Sequence, residues 1–169
     1  MGLSVGFQAH DVPSAELAES VSAILDETRV LGLATTAAGG TPDACNAHFA
    51  YDGECRLYIL TPPSTSHIQN IQRDGRVAVV VADTQQTADG GMHGLQIVGR
   101  AAKATGNELE QGLAAYRERF PATATVLASG EALEASGWDS RMYVIWPEKV
   151  TVFDERRFGP ERWVEASVG

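Results

Sequence analysis

The chain has 169 residues, 44% hydrophobic and 21% charged, with 13 Lys+Arg against 22 Asp+Glu and a formal net charge of −9. That length suits one domain spanning residues 1–169, and that hydrophobic content supplies a core, which excludes a wholly disordered chain. The acidic balance and the lack of a basic stripe exclude nucleic-acid backbone binding as the main task, and no run approaches the roughly 20 apolar residues of a membrane helix.

The opening residues, MGLSVGFQAHDVPSAE, have no basic region and no long apolar run, so no secretory leader is expected and a cytoplasmic location is. The first predicted helix runs 13–28. Leu17, Val21, Ile24 and Leu25 fall on one face, with Asp11 or Ser14 as cap. Val30 to Thr36 reads as a strand, and Ala37 to Pro42 (AAGGTP) as a turn. Two further strands are expected at Asp43 to Tyr51 and Cys55 to Leu60. The hairpin between them turns at Asp52-Gly53-Glu54 and pairs Tyr51 with Cys55. In that register Cys45 lies near Thr61, too far from Cys55 for a disulfide, so both thiols are expected to be reduced.

Pro62-Pro63 stops the sheet. Ser64 or Thr65 then opens a short helix through Arg73, with Ile68 and Ile71 facing inward. Val77 to Val81 is an apolar strand, and Asp83 to Met92 a polar, glycine-rich loop expected to be mobile and to gate a site. His93 to Thr105 is a long strand and Asn107 to Phe120 a helix with Leu109, Leu113, Tyr116 and Phe120 on one face. A short helix is predicted over Ala122 to Ser129. The last strand segments are Met142 to Trp146 and Lys149 to Phe153, interrupted by Pro147, followed by a polar tail over 154–169. Short hairpins between successive strands imply an antiparallel sheet, and six or seven strands in one small domain favour a closed barrel. The expected fold class is β-rich α+β.

Familiar catalytic signatures are missing. There is no P-loop, GxGxxG, GxSxG, HExxH or CxxC, and His10, His48, His67 and His93 are scattered, so no metal site is expected. Cys45 and His48 are three apart on a strand, hence on opposite faces, which disfavours a thiol–imidazole pair. One segment stands out. After the strand ending in Thr61, a Pro-Pro bend leads into a helix start carrying Thr65, Ser66 and His67. Helix starts expose unpaired N–H groups and a partial positive charge, so hydroxyls and an imidazolium there suit a phosphate; an ordinary N-cap is the alternative.

The order ATT…GGTPDACNAHFAYDGECRLYILT, then STSHIQNIQRDGRVAVVV, then HGLQIVGRA resembles the pyridoxamine 5′-phosphate oxidase-like FMN-binding split barrels over roughly residues 30–105. It looks closest to a bacterial branch with YILT, a following T-x-H, a glutamine three residues before a strand glycine (Gln96 and Gly99), and Phe158-Gly159 with Trp163 in the tail. This resemblance implies a six-stranded antiparallel split β-barrel with peripheral helices that forms a homodimer, with FMN between subunits. It implies that Thr61, Thr65, Ser66 and His67 meet the phosphate and that Asn46, Ala47 and His48 line the ring. Gln96 would approach from a neighbouring strand, and the partner's C-terminal segment, including Trp163, would close the site. His48 as a structural histidine and Trp163 as a packing or dimer residue are the plainer alternatives.

The departures from the family pattern concern charge. Cys45 and Ala50 stand where true pyridoxamine-phosphate oxidases carry Arg and Lys, and Ser66-His67 stands where many relatives carry Arg-Lys. The vitamin-B6 reaction is therefore not expected, and Arg73, Arg76 and Arg100 are the candidate replacements for the lost cations. The resulting expectation is an FMN-dependent oxidoreductase or flavin reductase acting on a small molecule, with NAD(P)H a possible reductant. The alternatives are F420 or haem as cofactor, or a binding protein without turnover.

Overall fold

Period-two burial builds the sheet. Leu31 and Leu33, then Val77, Val79 and Val81, then Leu95 and Ile97 all point into a common core while their neighbours face outward. The computed structural model describes residues 2–87 and 89–169. Its strands are β1 (Phe7–Gln8), β2 (Val30–Thr36), β3 (Pro42–Tyr51), β4 (Leu57–Thr61), β5 (Arg76–Ala82), β6 (His93–Lys103), β7 (Arg141–Asp154) and β8 (Trp163–Val168). Its helices are α1 (Ser14–Glu27), α2 (Ser66–Arg73), α3 (Gly106–Arg119), α4 (Gly130–Ala135) and α5 (Glu155–Phe158). Six strands, in the order β7-β4-β3-β2-β5-β6, close through a β6–β7 pairing into an antiparallel barrel, and β8 and β1 extend the sheet beyond β7. This is the expected β-rich α+β barrel with two added strands.

Two helices close the ends of the barrel. Leu17, Val21, Ile24 and Leu25 of α1 join the barrel core, as do Ile68 and Ile71 of α2, each burial worth about 1.5–3 kcal/mol. At the α1 end, Ser20 Oγ donates to Asp154 Oδ2 at 2.8 Å, both side chains fully buried. At the α2 end, Asn70 Nδ2 donates to Thr35 Oγ1 (3.0 Å) and Asp43 Oδ2 (2.9 Å), knitting the helix to the β2–β3 hairpin. A second core lies outside the barrel wall, where Leu113, Tyr116, Leu127 and Leu133 cover Tyr58, Met142 and Val144. Among the described residues nothing covers the outer faces of β2, β5 and β6 to that extent, and Val30, Val80 and Val98 there are exposed.

Several expectations need correction. The hairpin after β3 is wider than predicted: Tyr51 pairs with Leu57, not Cys55. The Asp52 carboxylate explains the extra residues. Its Oδ1 accepts from the Glu54 and Arg56 amides, and its Oδ2 from Arg56 Nε and the Tyr58 hydroxyl, which holds Cys55 in the loop at φ 60°. Both cysteines are free. No side chain caps α1, because Ser14 Oγ instead accepts from the Phe7 amide. The helix predicted over Ala122 to Ser129 forms later, as α4, with Ser129 Oγ accepting from the Ala132 amide at its start.

β7 is one strand through Pro147. A bulge beside Val98 and Gly99 absorbs the proline, so the two predicted segments merge. The tail is not merely polar: β8 pairs along β7 from Lys149 to Phe153, and β1 pairs with β8. The loop 83–92 is anchored at its far end, where His93 N donates to Gln86 Oε1 and Met92 N to Glu155 Oε2; Ala88 lies outside the described residues. No described helix is long and apolar enough to cross a membrane.

Candidate functional site

Three of the four residues expected to form a phosphate cradle come together. β4 ends on Thr61, the Pro62-Pro63 bend turns the chain, and Thr65 precedes the first residue of α2. The Thr61 and Thr65 hydroxyls lie 3.0 and 3.1 Å from His67 Nε2. Thr65 Oγ1 donates its own proton to Pro62 O at 2.9 Å. It therefore accepts from the imidazole if Nε2 carries the proton, and Thr61 retains a free O–H. Among the described residues no side chain caps α2, so its first amides have no intrahelical partner. Ser66 is exposed, and Thr65 and His67 are half-buried.

The electrostatics differ from the expectation of an imidazolium. Burial lowers the His67 pKa, and the nearby Asp43 only partly offsets it, so the ring is held neutral. The three arginines considered as replacements for lost cations are engaged elsewhere. Arg73 donates to Asn70 Oδ1, Arg76 forks onto Asp74, and Arg100 pairs with Glu148 at 3.3 Å. The cradle therefore offers hydrogen-bond donors rather than a fixed positive charge.

The remaining candidates lie elsewhere on the barrel. On β3, Asn46 and His48 face outward, whereas Cys45 and Ala47 pack toward the barrel core, so Ala47 offers a ligand only its backbone. The β2–β3, β2–β5 and β5–β6 registers place Asn46, Gly32, Val80 and Gln96 in one row across the outer face. Gln96 is exposed on β6. Two shallow adjoining depressions of about 350 and 470 Å³ lie on this face, lined among others by Gly32, Asn46, Ala78, Val80 and Ala82. Trp163, 52% exposed, stacks on Phe153 of its own chain at 4.2 Å between centroids, at the β7–β8 side of the same face. Among the described residues no group of three or more His, Cys, Asp or Glu side chains is arranged to hold a metal ion.

The cradle and the outer-face row meet where β3 and β4 part. Their pairing stops at Phe49–Ile59, leaving the first half of β3 bonded to β2 alone. Across this gap the Tyr116 hydroxyl accepts from the Leu60 amide (3.2 Å) and donates to the His48 carbonyl (2.6 Å). Phe120 rests against both rings, its centroid 5.2 Å from Tyr116 and 5.7 Å from His48. In the sequence Tyr116 and Phe120 read only as packing residues on the buried face of their helix; their i, i+4 spacing is the available signal. A separate cleft of about 310 Å³ beside Asp52, Arg56 and Gln111 is lined by polar groups that satisfy one another, Arg56 Nη2 donating to Gln111 Oε1 at 2.9 Å.

The family model described as pyridoxamine 5′-phosphate oxidase matches residues 17–165. No curated protein sequence matches the chain. Among solved structures, a heme-binding protein from Mycobacterium smegmatis superposes with a TM-score of 0.71 at 19% identity, over 94% of this chain and 60% of that one. HutZ, the heme storage protein from Vibrio cholerae, gives 0.61 at 22% identity, over 77% and 89%. A Clostridium acetobutylicum protein related to general stress protein 26, of the pyridoxinephosphate oxidase family, gives 0.57 at 14% identity, over 87% and 91%. At these identities the structural likenesses establish the fold alone.

Proposed function

The chain belongs to the pyridoxamine 5′-phosphate oxidase family, and from that premise we propose that it binds FMN in a groove between two copies of itself and acts as a flavin-dependent oxidoreductase on a small molecule. The observation that carries this reading is the uncapped start of α2 with the Thr61, Thr65 and His67 side chains gathered beside it. Helix N–H groups and hydroxyl donors are the hydrogen-bonding set that a phosphate takes. The residues fit that group by geometry and donor count, and with less charge than the family pattern supplies. Asn46 and His48 on β3 and Gln96 on β6 would flank the ring, and a second copy would cover the outer face.

When bound, FMN would supply hydride transfer at its ring, which needs no side-chain acid or base in this chain. The protein's part is to hold, orient and shield. Val80 and Val98, each 53% exposed, give the outer face an apolar floor that a second copy would keep dry. NAD(P)H is the proposed reductant for a flavin-reductase variant of this activity.

Haem is the second reading, favoured by the outward imidazole of His48 and by similarity to proteins described as heme-binding and heme-storing. A carrier of flavin, F420 or haem without turnover is the alternative to an enzyme.

A visible-spectrum titration tests the assignment. Purified protein is expected to bind FMN at micromolar concentration. Simultaneous substitution of Thr65, Ser66 and His67 by alanine is expected to weaken binding by about tenfold or more, the loss of at least one charge-assisted hydrogen bond. A Soret band on adding hemin, with no change on adding FMN, would favour haem. Steady FMN-dependent consumption of NAD(P)H would exclude the carrier reading.

A further inference from the structure

Cations on the surface of this acidic chain usually find a carboxylate. Arg56, Arg76, Arg100, Lys149, Arg157 and Arg162 each meet one at 3.7 Å or less. Lys103 and Arg141 do not: among the described residues neither forms an ion pair, although the chain carries 22 Asp+Glu against 13 Lys+Arg. Arg141 uses only Nη1, which donates to the Trp138 and Ser140 carbonyls at 2.9 Å each, so Nε and Nη2 are left over. The strand registers bring the two cations together. Arg141 lies opposite Thr61, and Lys103 opposite Tyr143, two residues further along β7. They are therefore diagonal neighbours on one sheet face, about 7–8 Å apart, where like charges destabilise each other. Both line one cavity of about 200 Å³, whose wall also includes Leu109, Leu133, Met142 and Glu134. Glu134 forms no ion pair with either.

We propose that this cavity is an anion subsite, in which Lys103 and Arg141 together take one phosphate or carboxylate group of a small organic ligand. The two carbonyl bonds fix the Arg141 guanidinium and leave its Nε–Nη2 edge, the pair of parallel N–H groups that matches two oxygens of an oxyanion. Lys103 adds a mobile point charge on a flexible stem. Volume sets the size of what enters. A whole-ligand pocket is roughly 300 Å³ or more, so this smaller cavity takes one anionic group and a short stem, and Leu109, Leu133 and Met142 suit a stem of hydrocarbon. The subsite is separate from the cradle of Thr61, Thr65 and His67. β7 lies between β4, which carries Thr61, and β6, which carries Lys103. The cradle offers neutral donors, whereas this cavity offers permanent charge, and the proposal does not depend on the flavin reading.

Thermal unfolding tests it, with inorganic phosphate and succinate as the probes. Midpoints are measured in about 20 mM sodium phosphate, in sodium succinate and in sodium chloride, all at one ionic strength. The proteins are wild type, Lys103→Gln/Arg141→Gln and Thr65→Ala/Ser66→Ala/His67→Ala. Phosphate or succinate is expected to raise the wild-type midpoint about 3 °C above chloride, the shift for an anion roughly tenfold above its dissociation constant. The anion giving the larger rise identifies the preferred group. The rise is expected to fall below about 1 °C in Lys103→Gln/Arg141→Gln and to persist in the cradle variant. No rise with either anion in wild type overturns the subsite, and so does a rise that Lys103→Gln/Arg141→Gln leaves unchanged. If that unchanged rise is lost instead in the cradle variant, the anion sits in the cradle, which supports the flavin reading while it overturns this one. Should Lys103→Gln/Arg141→Gln fail to fold, Lys103→Glu is used, since that position is exposed and the Arg141 bonds are kept. The same loss is expected, and an undiminished rise contradicts the proposal.

Discussion

His67 has its imidazole pressed between two threonine hydroxyls at the end of the barrel, and burial lowers its pKa. The sign of the consequence is fixed. An unfolded histidine takes up a proton as pH falls through about 6.5, while the folded one resists until its lower pKa is reached. Its contribution to stability is therefore complete above pH 6.5 and is lost progressively as pH falls toward the folded value. Urea unfolding between pH 7.5 and about 5 is expected to show a steeper loss in wild type than in His67→Gln; parallel curves would contradict the assignment. Asp52 is the second residue on which much depends, since one carboxylate holds two amides, Arg56 and the buried Tyr58 hydroxyl. Asp52→Ala is expected to cost about 3 kcal/mol in denaturant unfolding, and Asp52→Asn less, because an amide oxygen still accepts. The helix start carrying Thr65, Ser66 and His67 was legible in the sequence because a helix start is a local event. The roles of Asp52 and Tyr116 were not, because each depends on a partner brought close only by the folded barrel.

At the scale of elements, the bulge between β6 and β7 decides how the longest strand runs. A Cβ on Gly99 would stand 2.1 Å from the Trp146 carbonyl oxygen, so the backbones approach there more closely than any side chain permits. Gly99→Ala is expected to destabilise the fold by roughly 3 kcal/mol by forcing the strands apart beside Pro147, visible as a lowered denaturation midpoint. An unaffected midpoint would mean the contact is not constraining. This also explains which elements could be read. β2 was found at its observed limits because Val, Leu and Thr in a short run report a strand directly. The sequence suggests a break in β7 at Pro147 because a proline normally ends pairing, and only the opposing Gly99 reveals the exception. β8 reads as tail in the sequence because its exposed residues alternate with only two buried ones, Val164 and Ala166. α4 begins later than the sequence suggests because the residues before it form only a 3-10 turn, Pro121–Thr123.

For the whole molecule, the outer face of β5 and β6 exposes Val80 and Val98 beside the polar Gln96. Val80→Asp leaves the protomer core untouched, since the residue is 53% exposed, but places a charge on the proposed contact between copies. Sedimentation is expected to show a wild-type dimer and a folded Val80→Asp monomer, with FMN binding lost in the monomer. A dimer that persists, or a monomer that binds FMN unchanged, would remove the second copy from the site. The fold family was legible because motif order and spacing survive in the sequence, whereas the neutral character of the cradle depends on burial and could not be read. The most direct test of the central claim is a crystal structure of the protein soaked with FMN. The account predicts phosphate density at the start of α2, within hydrogen-bond reach of Thr61, Thr65 or the Ser66 and His67 amides, with the ring toward Asn46 and His48. Phosphate density elsewhere, or a flavin that never approaches the split between β3 and β4, would contradict it.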